Sequence, residues 1–180
     1  MDDKKLSEKY KSWAVEAYDY TESKLKFGAI NRFEGGNYVF SRVWGCMILR
    51  LVPCIEENGM STKEQARAIF ERANYAKGVQ TGNCQEHAAV TFDYLARSGR
   101  RQIAIIARAD SPLYGHAVVV CGFDYTCDFT KLSDFPDWSW VSDPWANVVI
   151  QTNKLTPPNA YSEVFSLREN ELYTETSLWK

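Results

Sequence analysis

A cysteine stands where a helix is predicted to begin, directly after a loop that contains glycine. Cys84 follows Gly82 and Asn83, and the apolar periodicity of residues 84–97 predicts a helix. The unpaired N–H groups and the positive dipole end at a helix N-terminus favour a thiolate, and the same amides can stabilise an oxyanion. Cys84 is therefore a candidate nucleophile, although an isolated cysteine is more often a small core residue.

A thiolate nucleophile needs a base that takes up and returns a proton, and the chain contains two histidines. His87 lies one helical turn after Cys84, where an imidazole rarely reaches the thiol in a productive line. His116 begins the apolar run 116–123, which predicts a strand. Because Gly115 precedes it, His116 can face a helix N-terminus across a cleft, and we expect it to be the base. The alternative role for His116 is that of a core or loop-capping residue.

The third group must accept a hydrogen bond from the other ring nitrogen of the histidine. Asp143 ends the predicted strand that follows the His116 strand and, on an antiparallel sheet, can lie next to the start of the His116 strand. Trp145 would shield the pair from water. Asp143 also fits an ordinary turn aspartate before a proline, and Asp110 and Asp124 are rival acceptors in the loops that flank the histidine strand.

The elements that must carry these residues follow the order helices first, strands afterwards. The patterns predict helices at 6–25, 38–51, 61–76 and 84–97, and strands at 102–107, 116–123, 138–143 and 147–151. Ser61 and Glu64 have capping-box spacing, and Gly99 marks a helix end. We expect an α+β fold in which a helical N-terminal half, with the nucleophile at a helix N-terminus, packs on an antiparallel sheet. A single domain, 1–180, would comprise a helical part (1–76), the catalytic helix and sheet (77–155) and a tail (156–180).

Composition narrows the class of protein. The chain has 180 residues, 45% of them hydrophobic, which suits one compact domain. Its 21 basic and 23 acidic residues nearly cancel, so neither nucleic acid nor a membrane surface is an expected partner. No secretory signal and no apolar run of the ~18 residues that span a bilayer is visible, so we expect a soluble protein. The five irregularly spaced cysteines indicate reduced thiols rather than a disulfide scaffold.

Three short segments in this order resemble the papain/transglutaminase-like superfamily of cysteine hydrolases, and within it bacterial effector and toxin deamidase domains. They are residues 82–88 (GNCQEHA), 115–119 (GHAVV) and 143–146 (DPWA), and the residues before them carry no match. The resemblance implies a papain/transglutaminase-like fold and a catalytic triad of Cys84, His116 and Asp143. Such domains attack a glutamine or asparagine side-chain amide of a target protein, form a thioester and release ammonia. Because the acyl-enzyme chemistry is shared, a cysteine protease or a transglutaminase stays open.

The resemblance also implies the setting of the reaction. We expect no cofactor and no metal, a target protein as substrate, and a secretion chaperone or an immunity protein as a further partner. The protein would reside in the bacterial cytoplasm and then be secreted, without a standard signal peptide, into a target or host cell, as a virulence effector or toxin.

The oxyanion donor is less well specified by the sequence. The backbone N–H of Cys84 is one candidate, and Gln80, Asn83 and Gln85 are further candidates for oxyanion or substrate binding, with Trp145 beside them. For Glu86 we expect either a hydrogen bond to the loop backbone or a simple first-turn interaction with the helix dipole.

Two readings without a cysteine nucleophile compete with this one. Cys84 and His87 form a C-x-x-H pair that Cys121 and Cys127 would complete as a zinc site, although the second spacing is poor and Cys121 lies in an apolar strand. Alternatively, the six tryptophans and ten tyrosines would form the surface of a non-catalytic interaction module. They are spread through every segment, which is more typical of core residues.

Overall fold

The computed structural model describes residues 2–27, 61–108, 115–124, 126–156 and 161–167. Its helices are α1 (Asp3–Lys24), α2 (Thr62–Val79) and α3 (Cys84–Arg97). Its strands are β1 (Ile103–Arg108), β2 (Ala117–Cys121), β3 (Trp140–Asp143), β4 (Val148–Gln151) and β5 (Tyr161–Leu167). Two single turns of 3-10 helix, Leu132–Asp134 and Thr152–Lys154, connect parts of the sheet. The expected α+β class is confirmed, whereas the finer papain-like assignment stays a prediction.

Local sequence signals set the helix ends. Ser61 caps α2: its hydroxyl accepts the Glu64 N–H at 3.3 Å, and the Glu64 carboxylate accepts the Ser61 N–H at 2.8 Å. After α3, Gly99 adopts a left-handed φ of 73°, and the N–H of Arg100 reaches back to the carbonyl of Leu95 at 3.0 Å. This is the Schellman arrangement that ends a helix at glycine, so both predicted boundaries are confirmed.

The five strands form one antiparallel sheet in the order β4-β3-β2-β1-β5. Successive strands β1 to β4 lie side by side, and a tight turn over residues 144–147 joins β3 to β4. β5 crosses back to pair with β1, with a bulge between Ile105 and Ile106. Because β2 and β3 are antiparallel neighbours, the start of β2 and the end of β3 lie side by side at the same end of the two strands.

Both faces of the central strands are buried. The odd-numbered residues of β1, such as Ile103 and Ile105, join a core formed with the three helices. The even-numbered residues Ala104 and Ile106 join a second core, which the segment around Phe129 and Leu132 covers. Burial on both sides explains why β1 and β2 read as continuous apolar runs rather than as alternating ones. Among the helices that the structure describes, none combines the length and apolar character that a bilayer crossing requires.

One predicted element lies outside the described residues, and another segment contains a strand that its pattern did not predict. The helix predicted at 38–51 lies outside the described residues. The segment 156–180 was expected to be a tail, yet β5 lies within it. Its buried residues Tyr161, Phe165 and Leu167 are separated by residues that are exposed or only partly buried, most of them polar, and the bulge interrupts strict alternation. Since β5 lies beyond two prolines and pairs with a distant strand, local patterns gave too little signal for it.

Candidate active site

Cys84 is the first residue of α3 and is partly exposed. Asn83, its N-cap, is extended, with φ −94° and ψ −169°, and this conformation turns the loop into the helix. The thiol donates to the carbonyl oxygen of Gly115 at 3.4 Å, so α3 brings the sulfur directly to the residue before His116. The cysteine thus lies at a helix N-terminus and against the start of β2.

His116 and Asp143 form a hydrogen-bonded ion pair beside it. The imidazole Nε2 lies 2.6 Å from Asp143 Oδ2, and the side chains are only 17% and 4% exposed. The second carboxylate oxygen, Oδ1, accepts the backbone N–H of Ala146 at 3.0 Å. Because both oxygens of Asp143 are engaged, the carboxylate is fixed, and it fixes the imidazole plane in turn.

Strand register accounts for this pairing. Val119 of β2 faces Ser142 of β3, and the same register continued toward the site sets His116 opposite Trp145. Asp143 is then the diagonal neighbour of His116, within reach of a long side chain. The rings of His116 and Trp145 are indeed in contact, with centroids 4.8 Å apart. The indole therefore covers the imidazole, as the sequence predicted.

The imidazole has an unusual proton affinity. Burial lowers the pKa of His116, but hydrogen bonds and electrostatic interactions with Asp143 and Cys84 raise it to about 9. The contact of the imidazole with the Cys84 sulfur is looser than its contact with Asp143, because the thiol points to the Gly115 carbonyl. The buried Nδ1 has no well-formed hydrogen bond within the described part of the chain. Nδ1 is thus the ring nitrogen left to exchange a proton with sulfur.

A buried ion pair supports the cysteine from the helical side. Glu86 Oε1 accepts from Arg72 Nη1 of α2 at 2.5 Å, and Oε2 accepts the Asn83 N–H at 2.8 Å. The two side chains are 5% and 4% exposed. A Cβ on Gly82 would lie 2.3 Å from the Glu86 Cβ, so only glycine fits beneath this carboxylate. Of the two expectations for Glu86, the hydrogen bond to the loop backbone is confirmed.

Arg72 and the carbonyl of Gly115 are site residues that the sequence analysis missed. Arg72 lies on the helix face that buries Ile69, Ala73 and Ala76. A basic residue within a buried stripe of a helix requires a partner, and the position of Arg72 among these apolar residues is visible in the sequence. The carbonyl of Gly115 carried no signal, because any residue has one.

His87 is buried at 2% exposure, and its Nδ1 lies 2.8 Å from the carbonyl oxygen of Asn83. The ring is thus engaged with the turn that precedes Cys84. Gln80 ends α2 in a left-handed conformation, φ 57°, with its carbonyl accepting the N–H of Phe27, while Gln85 is partly exposed in the first turn of α3.

The rival residues lie elsewhere. Asp124 is exposed and accepts from its own turn at Thr126, and Asp110 lies outside the described residues. Cys121 is buried in the helix-side core, whereas Cys127 packs against the second core. No three potential metal-ligating side chains cluster within the described ranges, so the four residues of the zinc reading do not meet as one site there.

The chain matches no protein-family model, no curated protein and no solved structure. The likeness to papain/transglutaminase-like hydrolases therefore depends on the three short motifs alone, and the function must be inferred from the geometry.

Proposed function

We propose that this protein is a thiol-dependent amidohydrolase that deamidates a glutamine or asparagine side chain of a target protein. Cys84 is the nucleophile, His116 carries the proton and Asp143 orients the imidazole. One observation carries the proposal. His116 Nε2 lies 2.6 Å from the buried carboxylate oxygen Oδ2 of Asp143, and the other ring nitrogen of His116, Nδ1, is left beside a cysteine at a helix N-terminus.

The arrangement supports an acyl transfer in two halves. The Cys84 sulfur attacks the amide carbon, and the carbonyl π electrons move to oxygen, which the Cys84 N–H stabilises at the helix N-terminus. The oxyanion collapses, the C–N bond breaks, and His116 gives its proton to the departing ammonia. Water then attacks the thioester while His116 takes up a proton, and cleavage of the C–S bond releases the carboxylic acid and restores sulfur.

The choice of deamidation over proteolysis or amine transfer comes from the three-motif resemblance, because all three reactions share this acyl-enzyme. The same resemblance leads us to propose a bacterial effector or toxin that is delivered into another cell without a standard signal peptide. Its partners would then be the target protein and a chaperone or immunity protein.

Alkylation by iodoacetamide tests the nucleophile without knowledge of the target. Cys127 is a matched thiol, since it is also partly exposed, but burial and the neighbouring Asp124 carboxylate raise its pKa. At pH ~5.5, we expect Cys84 to react at least about tenfold faster than Cys127, and His116→Ala to remove most of this advantage. Peptide mapping by mass spectrometry measures both rates, and equal rates for the two thiols would contradict the proposal.

Intact mass spectrometry of glutamine-rich test proteins then identifies the reaction. Deamidation adds about one dalton per event, because an amide nitrogen is replaced by oxygen. Cys84→Ala and His116→Ala should each lower this activity about 10³-fold or more while circular dichroism stays unchanged. A large mass loss would indicate proteolysis and a covalent dimer of substrates transglutamination; either would replace the deamidase assignment while keeping the nucleophile.

A further inference from the structure

The second histidine of the chain holds the peptide group that precedes the nucleophile. Nδ1 of His87 lies 2.8 Å from the carbonyl oxygen of Asn83, and the same oxygen accepts the backbone N–H of His87 at 3.0 Å. Since a carbonyl oxygen only accepts hydrogen bonds, Nδ1 must carry the hydrogen. The Asn83 carbonyl is therefore bound by two donors, one of them a buried side chain.

This carbonyl belongs to the same peptide unit as the N–H of Cys84. A trans peptide is planar, so the direction of its C=O fixes the opposite direction of its N–H. The N–H of Cys84 is the first of helix α3 and has no acceptor within the helix. A second donor on the carbonyl oxygen also polarises the peptide and strengthens its N–H as a donor. His87 thus acts on the group that the proposed reaction uses to stabilise the oxyanion.

The peptide unit on the other side of Asn83 is held as well. Glu86 accepts the Asn83 N–H at 2.8 Å and is itself bound to Arg72. Two consecutive peptide units before the sulfur are therefore fixed by side chains from the first turn of the same helix. This leaves the Cys84 N–H oriented before any substrate arrives, as electrostatic preorganisation requires.

We propose that His87 is a positioning residue for the oxyanion donor: it orients and polarises the Asn83–Cys84 peptide and neither accepts nor donates the reacting proton. The inference rests on the proposed function, because an oxyanion forms only if Cys84 attacks a carbonyl. It assigns separate tasks to the two histidines, proton transfer to His116 and oxyanion stabilisation to His87.

Two reagents separate these tasks in the intact 180-residue chain. The first is a short peptide whose glutamine side-chain amide is replaced by an aldehyde. Cys84 adds to the aldehyde carbon and the carbonyl electron pair moves to oxygen, so this oxygen develops negative charge at the oxyanion position. The imidazolium of His116 then supplies the proton that completes the thiohemiacetal. The second is iodoacetamide, which reacts by displacement of iodide and develops no oxyanion at the attacked carbon.

We expect His87→Leu and His87→Gln to weaken binding of the aldehyde about tenfold, which is less than the effect of losing a whole oxyanion donor. The alkylation rate of Cys84 should stay within about twofold of the wild-type rate. His87→Asn should bind the aldehyde like the wild type, because its amide nitrogen can take the place of Nδ1. The glutamine amide instead reaches toward the place of Nε2, which gives a polar variant without the hydrogen bond. Phe92→Leu controls for general loosening of α3, since Phe92 is buried in the core against Phe165.

Unchanged aldehyde binding in both His87→Leu and His87→Gln would overturn the inference while leaving the nucleophile in place. A parallel loss of aldehyde binding and alkylation, reproduced by Phe92→Leu, would also overturn it, since it would indicate a purely structural role. Wild-type protein that reacts with neither reagent at Cys84 would reject the proposed function, and the inference with it.

Discussion

The candidate site has two halves that are held together by different means. The helix half comprises Arg72 and residues 82–87, and the sheet half comprises residues 115–116 and 143–146. In the helix half, Glu86 and His87 bind the backbone directly before Cys84 from within one helical turn, and Arg72 joins Glu86 from α2, 14 residues earlier in the chain. In the sheet half, His116 and Asp143 are 27 residues apart and meet only through the register of β2 and β3.

The halves also differ in how their charges are used. Arg72 and Glu86 form a buried ion pair, which suits a structural support for the loop before Cys84. His116 is less buried, borders the sulfur and titrates in an accessible range. The comparison supports the proposal that the helix half fixes geometry and the sheet half moves protons.

The largest expected effect on stability comes from breaking the helix half. Arg72→Met leaves the Glu86 carboxylate buried without its cation, and we expect a loss of about 4 kcal/mol in the free energy of unfolding. Urea unfolding, followed by circular dichroism, measures this loss.

The control is the double variant Arg72→Met/Glu86→Gln. It removes both charges and keeps an acceptor for the Asn83 N–H, so it should recover most of the lost stability. A single and a double variant of equal stability would show that the buried charge is not the cause.

The sheet half should instead make stability depend on pH. The pKa of His116 is about 9 in the folded chain against 6.5 for an ordinary histidine. The protonated imidazole therefore stabilises the fold fully below pH 6.5, and this contribution is lost as the pH rises through about 9. Its size is on the order of 3 kcal/mol, from the pKa difference.

Unfolding free energies between pH 6 and about 9.5 test this expectation. Asp143→Asn is the matched variant, because it removes the charge next to the imidazole and keeps the shape. We expect a flatter pH dependence for Asp143→Asn than for the wild type. If both proteins lose stability equally over this interval, the ion pair does not produce the raised pKa.

Prediction from sequence was most complete where contacts are local. The cap at Ser61, the stop at Gly99 and the helix start at Cys84 all follow from residues within one turn. The pairing of Arg72 with Glu86 was not predicted, because it depends on how α2 packs on α3. No local pattern specifies that packing.

The sheet half was predicted only through its order of strands. His116 at a strand start and Asp143 at the end of another can meet if the strands are antiparallel neighbours, and the structure shows that they are. β5 was missed, since its pairing with β1 joins distant segments and its exposed face is polar. The distance between His116 and the sulfur likewise depends on packing of α3 against the sheet, for which sequence spacing gives no value.

The smallest expected effect on stability comes from a substitution in the loop of the helix half, which should leave the sheet half largely unchanged. Gly82→Ala would place a methyl group 2.3 Å from the Glu86 Cβ, and the loop before Cys84 must shift to relieve the contact. We expect a loss of about 2 kcal/mol in unfolding free energy and slower alkylation of Cys84, because the sulfur moves with the loop. The pH dependence assigned to His116 and Asp143 should be largely kept.

Gly78→Ala is the matched control, since it lies in α2 near the same loop and its added Cβ meets nothing within 4 Å. A helical glycine replaced by alanine should gain about 0.5–1 kcal/mol, and the alkylation rate should not change. The difference in sign between two glycines four residues apart would then come from Glu86 alone. If Gly82→Ala were as stable and as reactive as Gly78→Ala, the carboxylate would not be held where the helix half requires it, and the nucleophile would depend on the sheet half only.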